Sequence, residues 1–219
     1  MNAMARAGLV DDRSWASKPG NLSVELLWYV KHFPLWPTIF TVGLVAASAG
    51  AILSPLSWAG AGLCLALNIL FLLRAKVRFR YGLVNPAIVV GESPLTLAVY
   101  TNLSTGDGDY PVIKILRHPR PHGNIPVALG SKFATVAVYS GSTKAEHWEN
   151  FDPVLVECAT RDRLLIERTF YSIPDEKWGQ FKQGLKDLHQ PLKPGIYPVK
   201  RVQPAQKTPE LAVCETAAT

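Results

Sequence analysis

The sequence is short of charge and of cysteine. Charged residues make up 18% of its 219 positions, below the roughly 25% of a typical soluble domain. Its three cysteines, Cys64, Cys158 and Cys214, are widely spaced, and none belongs to a Cys-x-x-Cys pair. A disulfide-dense miniprotein is therefore excluded, and the cysteines fit a reducing compartment. The apolar fraction of 48% excludes disorder over the full length.

The missing charge is concentrated in one segment. The 42 residues from His32 to Leu73 contain no Lys, Arg, Asp or Glu. A membrane-spanning helix needs about 20 mostly apolar residues, so this run suits two spans. The run is interrupted around Pro55, because proline lacks an amide donor and disfavours helix at the preceding residue. We predict helices at Leu35–Leu53 and Leu56–Leu73. A buried helical hairpin of a soluble protein is disfavoured, since such helices keep one polar face.

Basic residues flank this segment and predict its orientation. Lys31 precedes it, the turn between the two helices is uncharged, and four cations follow at Arg74, Lys76, Arg78 and Arg80. The positive-inside rule places both flanks in the cytoplasm. Trp36 and Trp58 stand at the starts of the two helices, where tryptophan favours the headgroup region. These six aromatic and basic side chains, without Lys31, are the predicted membrane-interface residues. The expected topology crosses the membrane twice, with both termini and the β domain on the cytoplasmic side.

The pattern divides the chain into five parts. We predict a disordered tail at residues 1–20, an interfacial or juxtamembrane helix at 21–33, a transmembrane hairpin at 34–74, a cytoplasmic β domain at 81–197 and a disordered tail at 198–219. The helix at 21–33 rests on apolar residues at helical spacing, and a plain extension of the first span fits it equally well.

Short β-like runs separated by turn residues dominate the predicted β domain. We predict six strands, at Ala87–Val90, Leu95–Leu103, Tyr110–Leu116, Phe133–Tyr139, Val154–Thr160 and Leu164–Tyr171. The period then changes, because four apolar residues spaced three or four apart predict an amphipathic helix at Asp175–Gln190. The expected fold is mostly β (α+β), a small antiparallel SH3-like or OB-like barrel or sandwich with one C-terminal helix.

Motifs for chemistry are scarce. The sequence has no phosphate loop, no G-x-G-x-x-G and no zincin helix. Cys158, His147 and Asp152 are a weak candidate for a thiol catalytic set, and a structural role for Cys158 is favoured because their spacing matches no signature. His118 and His122 are four apart, but prolines between them preclude the helical turn that would hold a metal. We predict no catalytic residues, metal or cofactor.

Two aromatic residues in a polar stretch are candidates for an interaction surface. Trp148 and Phe151 either anchor their loop in the core, which is favoured, or are exposed and contact a partner. The basic residues of the β domain are balanced by acids, so nucleic-acid binding is disfavoured.

Several segments resemble an uncharacterised bacterial family, a domain of unknown function often attached to a membrane hairpin. The resemblance is carried by Asn85–Val90, Ala98–Gly106, Tyr110–Ile115, the pair His147-Trp148 and the triplet Phe151-Asp152-Pro153, and it spans roughly residues 81–197. It implies a bacterial origin and carries over no functional residues.

Three functions are compatible with this sequence. The first is a membrane-anchored, non-catalytic protein whose β domain binds a partner protein or self-associates, with the bilayer as its other partner. The second is a membrane-bound hydrolase or transferase that uses Cys158, His147 and Asp152. The third is binding of anionic lipid or nucleic acid at the membrane surface.

Overall fold

The computed structural model of the protein describes residues 20–52, 54–105, 108–122, 125–142, 145–188 and 192–199. The two predicted tails fall almost entirely outside these ranges, and Cys214 also lies outside them.

Three helices open the described chain. They are α1 (Leu26–His32), α2 (Leu35–Gly50) and α3 (Ser57–Tyr81). The axes of α1 and α2 are bent by 102°. Helix α1 is therefore an element of its own and not a plain extension of α2.

The helices α2 and α3 form an apolar hairpin that packs through small residues. A Cβ at Gly43 would lie 3.0 Å from the Sγ of Cys64, and one at Gly60 would lie 3.6 Å from the Cβ of Ala47. Of the described helices, α3 is long and apolar enough to cross a membrane, whereas α2 meets that test only together with α1. The predicted pair of spans is thus supported directly for one helix.

Helix α3 continues well past the predicted end at Leu73. Its last two turns carry the four cations from Arg74 to Arg80, and Ala75, Val77 and Phe79 between them are buried. Ala75 and Phe79 pack into the core of the β domain, which is why the helix persists beyond the apolar run.

The β domain is one antiparallel sheet of six strands. The strands are β1 (Leu83–Glu92), β2 (Leu95–Asn102), β3 (Pro111–Arg117), β4 (Lys132–Ser140), β5 (Asn150–Leu155) and β6 (Gly195–Pro198). Their order is β5-β4-β1-β2-β3-β6. The first four predicted strands lie inside or within a residue of β1 to β4.

The sheet curls into a half-barrel. In a flat sheet, β3 and β5 would lie about 19 Å apart, because four inter-strand steps of about 4.8 Å separate them. The Nζ of Lys114 on β3 nevertheless donates to the Asn150 Oδ1 at 2.8 Å and to the Phe151 carbonyl oxygen on β5. The predicted barrel or sandwich is therefore observed only as a half-barrel, since β5 and β6 are both edges and do not pair.

Side chains cover the outer edge of β5. The Phe151 N–H donates to the Asn150 side chain (2.8 Å), Pro153 has no N–H, and the Leu155 N–H donates to the Nε2 of His118 (3.4 Å). Because Lys114 also occupies the Phe151 carbonyl, this edge offers few free groups to an added strand.

The segment Leu164–Tyr171, predicted as the sixth strand, is a helix. Helix α4 (Arg163–Tyr171) begins where the Asp162 side chain accepts the N–H groups of Leu164 and Leu165 at 3.0 and 3.3 Å. Leu165, Ile166 and Phe170 pack against the core, and this helical spacing competes with the alternation that predicted a strand.

The remaining differences lie near the ends of the β domain. The predicted fifth strand begins earlier, as β5, and gives way to a 3-10 turn at Val156–Cys158. Helix α5 (Asp175–Lys186) confirms the amphipathic helix, with Trp178 and Phe181 buried. The sixth strand is β6, which the prolines around it concealed. The α+β class is confirmed, with two helices in the domain.

Candidate functional site at the junction of hairpin and sheet

The hairpin joins the sheet without a flexible linker. Helix α3 ends at Tyr81 and β1 begins at Leu83, so Gly82 alone separates them. Gly82 is buried, and its N–H donates to the Arg78 carbonyl at 2.7 Å. The direction of α3 is therefore set by the sheet itself.

The segment that precedes α1 caps the C-terminal end of α3. Three consecutive N–H groups, from Gly20 to Leu22, donate to the carbonyl oxygens of Gly82, Arg80 and Phe79 at 3.1–3.3 Å. The last carbonyls of an α-helix have no partner within the helix, so this strap satisfies groups at the α3 terminus.

Helix α1 is docked on the β domain. The Trp28 Nε1–H donates to the Glu157 carbonyl oxygen at 2.8 Å. The Tyr29 ring is buried between Phe33, Phe71 and Phe79, with ring centroids 4.9–6.0 Å away. One face of the predicted juxtamembrane helix is therefore buried in the protein.

Glu25, just before α1, ties this region to the segment after the 3-10 turn. Its Oε1 accepts the Arg161 N–H (2.7 Å) and the Thr160 hydroxyl (3.0 Å), while Oε2 lies 3.0 Å from the Arg161 guanidinium. The Arg161 backbone N–H is the main cause that lowers the pKa of Glu25. Arg161 also covers the Trp28 ring, at 5.2 Å from its centroid.

Replacing Glu25 by alanine should lower the free energy of unfolding by about 1–2 kcal/mol. The Thr160 hydroxyl and the Arg161 N–H would lose their bonds to the carboxylate. The loss stays modest because the exposed Arg161 guanidinium would remain hydrated. The loss should appear at neutral pH and disappear in acid. The pKa of Glu25 is lower in the folded chain, so its contribution exists above about pH 4.5 and fades as the pH falls. Chemical denaturation in detergent at pH 4 and pH 7 measures it. Glu167→Ala on exposed helix α4 is the control, and an equal loss in both variants would contradict the role of Glu25.

Three histidines meet at the C-terminal end of α1. His32 is buried, donates from Nδ1 to the Trp28 carbonyl (2.9 Å) and accepts the His122 N–H at Nε2 (2.8 Å). Burial lowers the pKa of His32 and also that of His118, to about 4. The His118 Nδ1 donates to the Pro119 carbonyl at 2.7 Å, and its Nε2 accepts the Leu155 N–H. His118 thus serves as a neutral structural side chain, and no group of three or more side chains in the described ranges is placed to hold a metal ion.

Arg78 joins α3 to β5. Its guanidinium lies 2.5 Å from the Asp152 Oδ2, and Arg78 is the more buried partner (24% exposed against 63%). The pair borders Tyr29, whose pKa is raised by burial, while the nearby Arg78 acts against that rise. Asp152 is therefore the counter-ion of Arg78, and Arg78 faces the domain instead of the predicted membrane interface.

Replacing Asp152 by asparagine should lower the free energy of unfolding by no more than about 1 kcal/mol, since the carboxylate is largely exposed. A double-mutant cycle with Arg78→Gln, followed by thermal unfolding at 0.1 M and 0.5 M salt, isolates the coupling. The coupling should shrink at the higher salt. A coupling of zero at both salt concentrations would show that the contact contributes nothing to stability.

The structure does not bring the candidate thiol set together. His147 precedes β5 and Cys158 follows it, and the six residues of β5 span about 17 Å between them. The ring of His147 stacks on Tyr110 at 3.9 Å, and its Nδ1 bonds the Trp148 carbonyl. Cys158 is fully buried, and burial raises the pKa of its thiol. A thiol held in this form is a poor nucleophile.

Glu157 is the most unusual group of the junction. It is 6% exposed, its Oε2 has no hydrogen-bond partner among the described residues, and desolvation raises its pKa to about 7. A buried carboxyl that shares no charge partner favours its neutral form. The carbonyl oxygen of Glu157 itself accepts the hydrogen bond from the Trp28 Nε1–H.

Trp148 and Phe151 are not surface residues. They are 6% and 0% exposed, and the centroids of their rings lie 6.4 and 5.9 Å from the centroid of the Tyr139 ring. The interpretation as a contact surface for a partner is wrong for these two residues, and they anchor the loop before β5 in the core. Trp36 and Trp58 are 55% and 65% exposed at the ends of the hairpin.

The contacts that build the junction join residues far apart in the sequence. Trp28 and Glu157 are 129 positions apart, and Glu25 and Arg161 are 136 apart. The sequence carried no clear signal for these contacts, since the alternation of apolar and basic residues after Leu73 does not define one face of an α-helix.

A half-barrel fused directly to an apolar helical hairpin defines an α+β class of domain with an attached helical stem. A family model described as "Protein of unknown function (DUF3239)" matches residues 73–189, more than half of the chain. The chain therefore belongs to the DUF3239 family, which confirms the resemblance to a domain of unknown function. The match begins inside α3, so the family domain includes the connection of α3 to β1 at Gly82.

One solved structure is similar, described as a "putative membrane protein from Corynebacterium diphtheriae". It is 19% identical, with a TM-score of 0.46, and the match covers 53% of this chain and 99% of that chain. Comparison with the curated proteins gives no match.

Proposed function

We propose that this chain is a two-pass protein of a bacterial cytoplasmic membrane that holds its half-barrel against the cytoplasmic face, where the domain binds a partner protein or a second copy. The observation that carries the proposal is the exposed apolar surface of the hairpin. Only 11% of the apolar stretch of α3 is buried in the protein. The core helix of a soluble protein would be mostly buried.

The exposed side chains of both hairpin helices are large and apolar. On α2 they include Leu35, Ile39, Val42 and Val45, and on α3 they include Leu63, Leu65 and Ile69. A contiguous surface of this kind is unfavourable in water, at about 25 cal/mol per Å². Lipid tails would cover it at no such cost.

The packing of α2 along α3 supports the proposed two-pass topology. A membrane that surrounds the apolar half of α3 would also surround α2, because their small residues are in contact. Helix α2 has 16 residues and rises about 24 Å, so it fits a locally thinned bilayer. The basic flanks at Lys31 and Arg74–Arg80 favour a cytoplasmic location for the β domain.

Cysteine labelling in intact spheroplasts tests the topology. In a background without Cys64 and Cys214, a membrane-impermeant maleimide should label Ser54→Cys, in the turn of the hairpin, and should spare Lys182→Cys on α5. Both sites should react after lysis. Labelling of Lys182→Cys alone before lysis would reverse the orientation, and extraction of the chain by alkaline carbonate would reject membrane insertion altogether.

The described β domain offers one exposed apolar face for a protein partner. Leu164 and Tyr171 on α4 are 78% and 79% exposed, and their seven-residue spacing puts them on the same side of the helix. The covered edge of β5 disfavours strand addition there. A partner protein or a second copy that covers this face of α4 would bury both side chains.

Site-specific photo-crosslinking in membranes tests the partner. A photoreactive amino acid at position 164 or 171 should give one discrete adduct, and the same group at Lys182 should not. Two differently tagged copies of the chain distinguish self-association from a second protein. Equal, diffuse crosslinking at all three positions would reject this surface.

A further inference from the structure

Four exposed cations surround the point where the chain enters and leaves the apolar hairpin. Lys31 lies on α1 just before α2, and Arg74, Lys76 and Arg80 project from the last turns of α3. We call these four residues the basic collar. The three cations of α3 span about 9 Å along the helix axis, from the last apolar residue toward the sheet.

The collar has no acidic partner within the described part of the chain. The two ion pairs found there use other cations, Arg78 with Asp152 and Arg161 with Glu25. No Asp or Glu occurs in the sequence between Glu25 and Glu92. The acids near the junction thus neutralise cations that face the domain, and the outward charge of the collar remains.

The position of the collar matches the headgroup layer of a bilayer. That layer is about 5–7 Å thick on each side of the hydrocarbon core, so Arg74 and Lys76 would lie within it and the backbone of Arg80 a few Å outside it. Cations at this depth attract the phosphate groups of anionic lipids. Because Gly82 alone separates α3 from β1, these side chains keep a constant distance from the sheet.

We infer that the basic collar, Lys31, Arg74, Lys76 and Arg80, binds the headgroups of anionic phospholipids and thereby seats the half-barrel on the membrane surface. The inference rests on the membrane location proposed above. A bilayer surface fits better than a nucleic acid, because the four cations lie at the base of an apolar hairpin and not on the sheet.

Lipid binding by the full-length chain in nonionic detergent micelles tests the inference. Energy transfer from the protein tryptophans to dansyl-labelled phosphatidylglycerol should report binding several-fold tighter than to dansyl-labelled phosphatidylcholine. One surface cation corresponds to about a fivefold change in affinity, so Lys76→Gln/Arg80→Gln should weaken phosphatidylglycerol binding about 30-fold. The control Lys182→Gln/Lys186→Gln, on exposed positions of α5, should change it less than twofold.

Further arms separate the outcomes. Arg74→Lys/Arg80→Lys keeps the charge and should keep the binding, which guards against a loss caused by misfolding. Equal affinity for the two lipids, or full binding by the collar variant, would overturn the inference. Displacement of the lipid by millimolar inorganic phosphate would indicate a site for the free anion. Displacement by a short DNA duplex would indicate nucleic-acid binding. Either result would also overturn the inference. Carbonate extraction reports separately on membrane insertion, because the micelle assay does not require a bilayer.

Discussion

Glu157→Gln should raise the free energy of unfolding by about 3 kcal/mol above pH 7 and leave it almost unchanged below about pH 4.5. The pKa of Glu157 is about 7 in the folded chain against an ordinary value of 4.5. The carboxyl is thus tolerated in its neutral form, and its contribution to stability is lost as the pH rises from 4.5 through 7. A shift of about 2.5 pKa units corresponds to about 3 kcal/mol. Glutamine has nearly the same shape and carries no charge to desolvate.

Denaturant unfolding of the detergent-solubilised protein at pH 4.5, 6 and 8 measures this effect. The difference between the variant and the wild type should grow steadily with pH. Glu167→Gln, on the exposed side of α4, is the matched control and should show no such trend. A constant difference at all three pH values would mean that the buried carboxyl does not titrate in this range.

His118 has the opposite pH dependence and masks Glu157 in the wild type. Its pKa falls to about 4 from an ordinary 6.5, so its contribution to stability is present above pH 6.5 and is lost as the pH falls through 4. Between about pH 4.5 and 6.5 the two contributions change in opposite directions by similar amounts. The wild-type stability should therefore be nearly flat there, and Glu157→Gln should reveal the loss in acid that belongs to His118.

Gly82→Ala should destabilise the chain by about 3 kcal/mol, the upper end of the usual cost of overpacking. A Cβ at this position would lie 2.5 Å from the Arg78 carbonyl oxygen, 2.6 Å from the Val136 Cγ1 and 2.8 Å from the Ala137 carbonyl oxygen. Two of these three atoms belong to the backbone of α3 and β4, and they cannot rotate away. The backbone angle of Gly82 is ordinary for any residue (φ −71°), so the requirement for glycine is one of space alone.

Thermal unfolding in detergent compares this variant with Gly179→Ala on α5, where nothing lies within 4 Å of the added Cβ. The control should be stabilised by up to about 1 kcal/mol, because alanine favours helix over glycine. Proteolysis between the hairpin and the sheet should also accelerate in Gly82→Ala alone. A variant as stable as the wild type would show that α3 can move away from the sheet.

The local patterns predicted much of the secondary structure. The charge-free run predicted two apolar helices, short β-like runs between turn residues predicted β1 to β4, and helical spacing predicted α5. These elements carry their own signal, since the period of apolar residues is set by strand or helix geometry. The apolar residues of the α4 segment fit both the period of a strand and that of a helix. The segment is a helix because Asp162 caps its first turn and because Leu165, Ile166 and Phe170 pack on the core. Strand β6 is four residues long and depends on pairing with β3.

The sequence by itself determined the apolar hairpin, its basic flanks and the α+β character of the domain, because each depends on residues that are neighbours in the chain. Only the tertiary structure decided that the sheet stays open, that Trp148 and Phe151 are buried, and that Cys158, His147 and Asp152 stand apart. It alone assembled the junction of Glu25, Trp28, Arg78 and Glu157, since burial and pairing there depend on contacts across more than 70 positions of sequence. Burial raises the pKa of Glu157, and the Arg161 N–H lowers the pKa of Glu25, while the contacts of Trp28 and Arg78 fix the hairpin on the sheet.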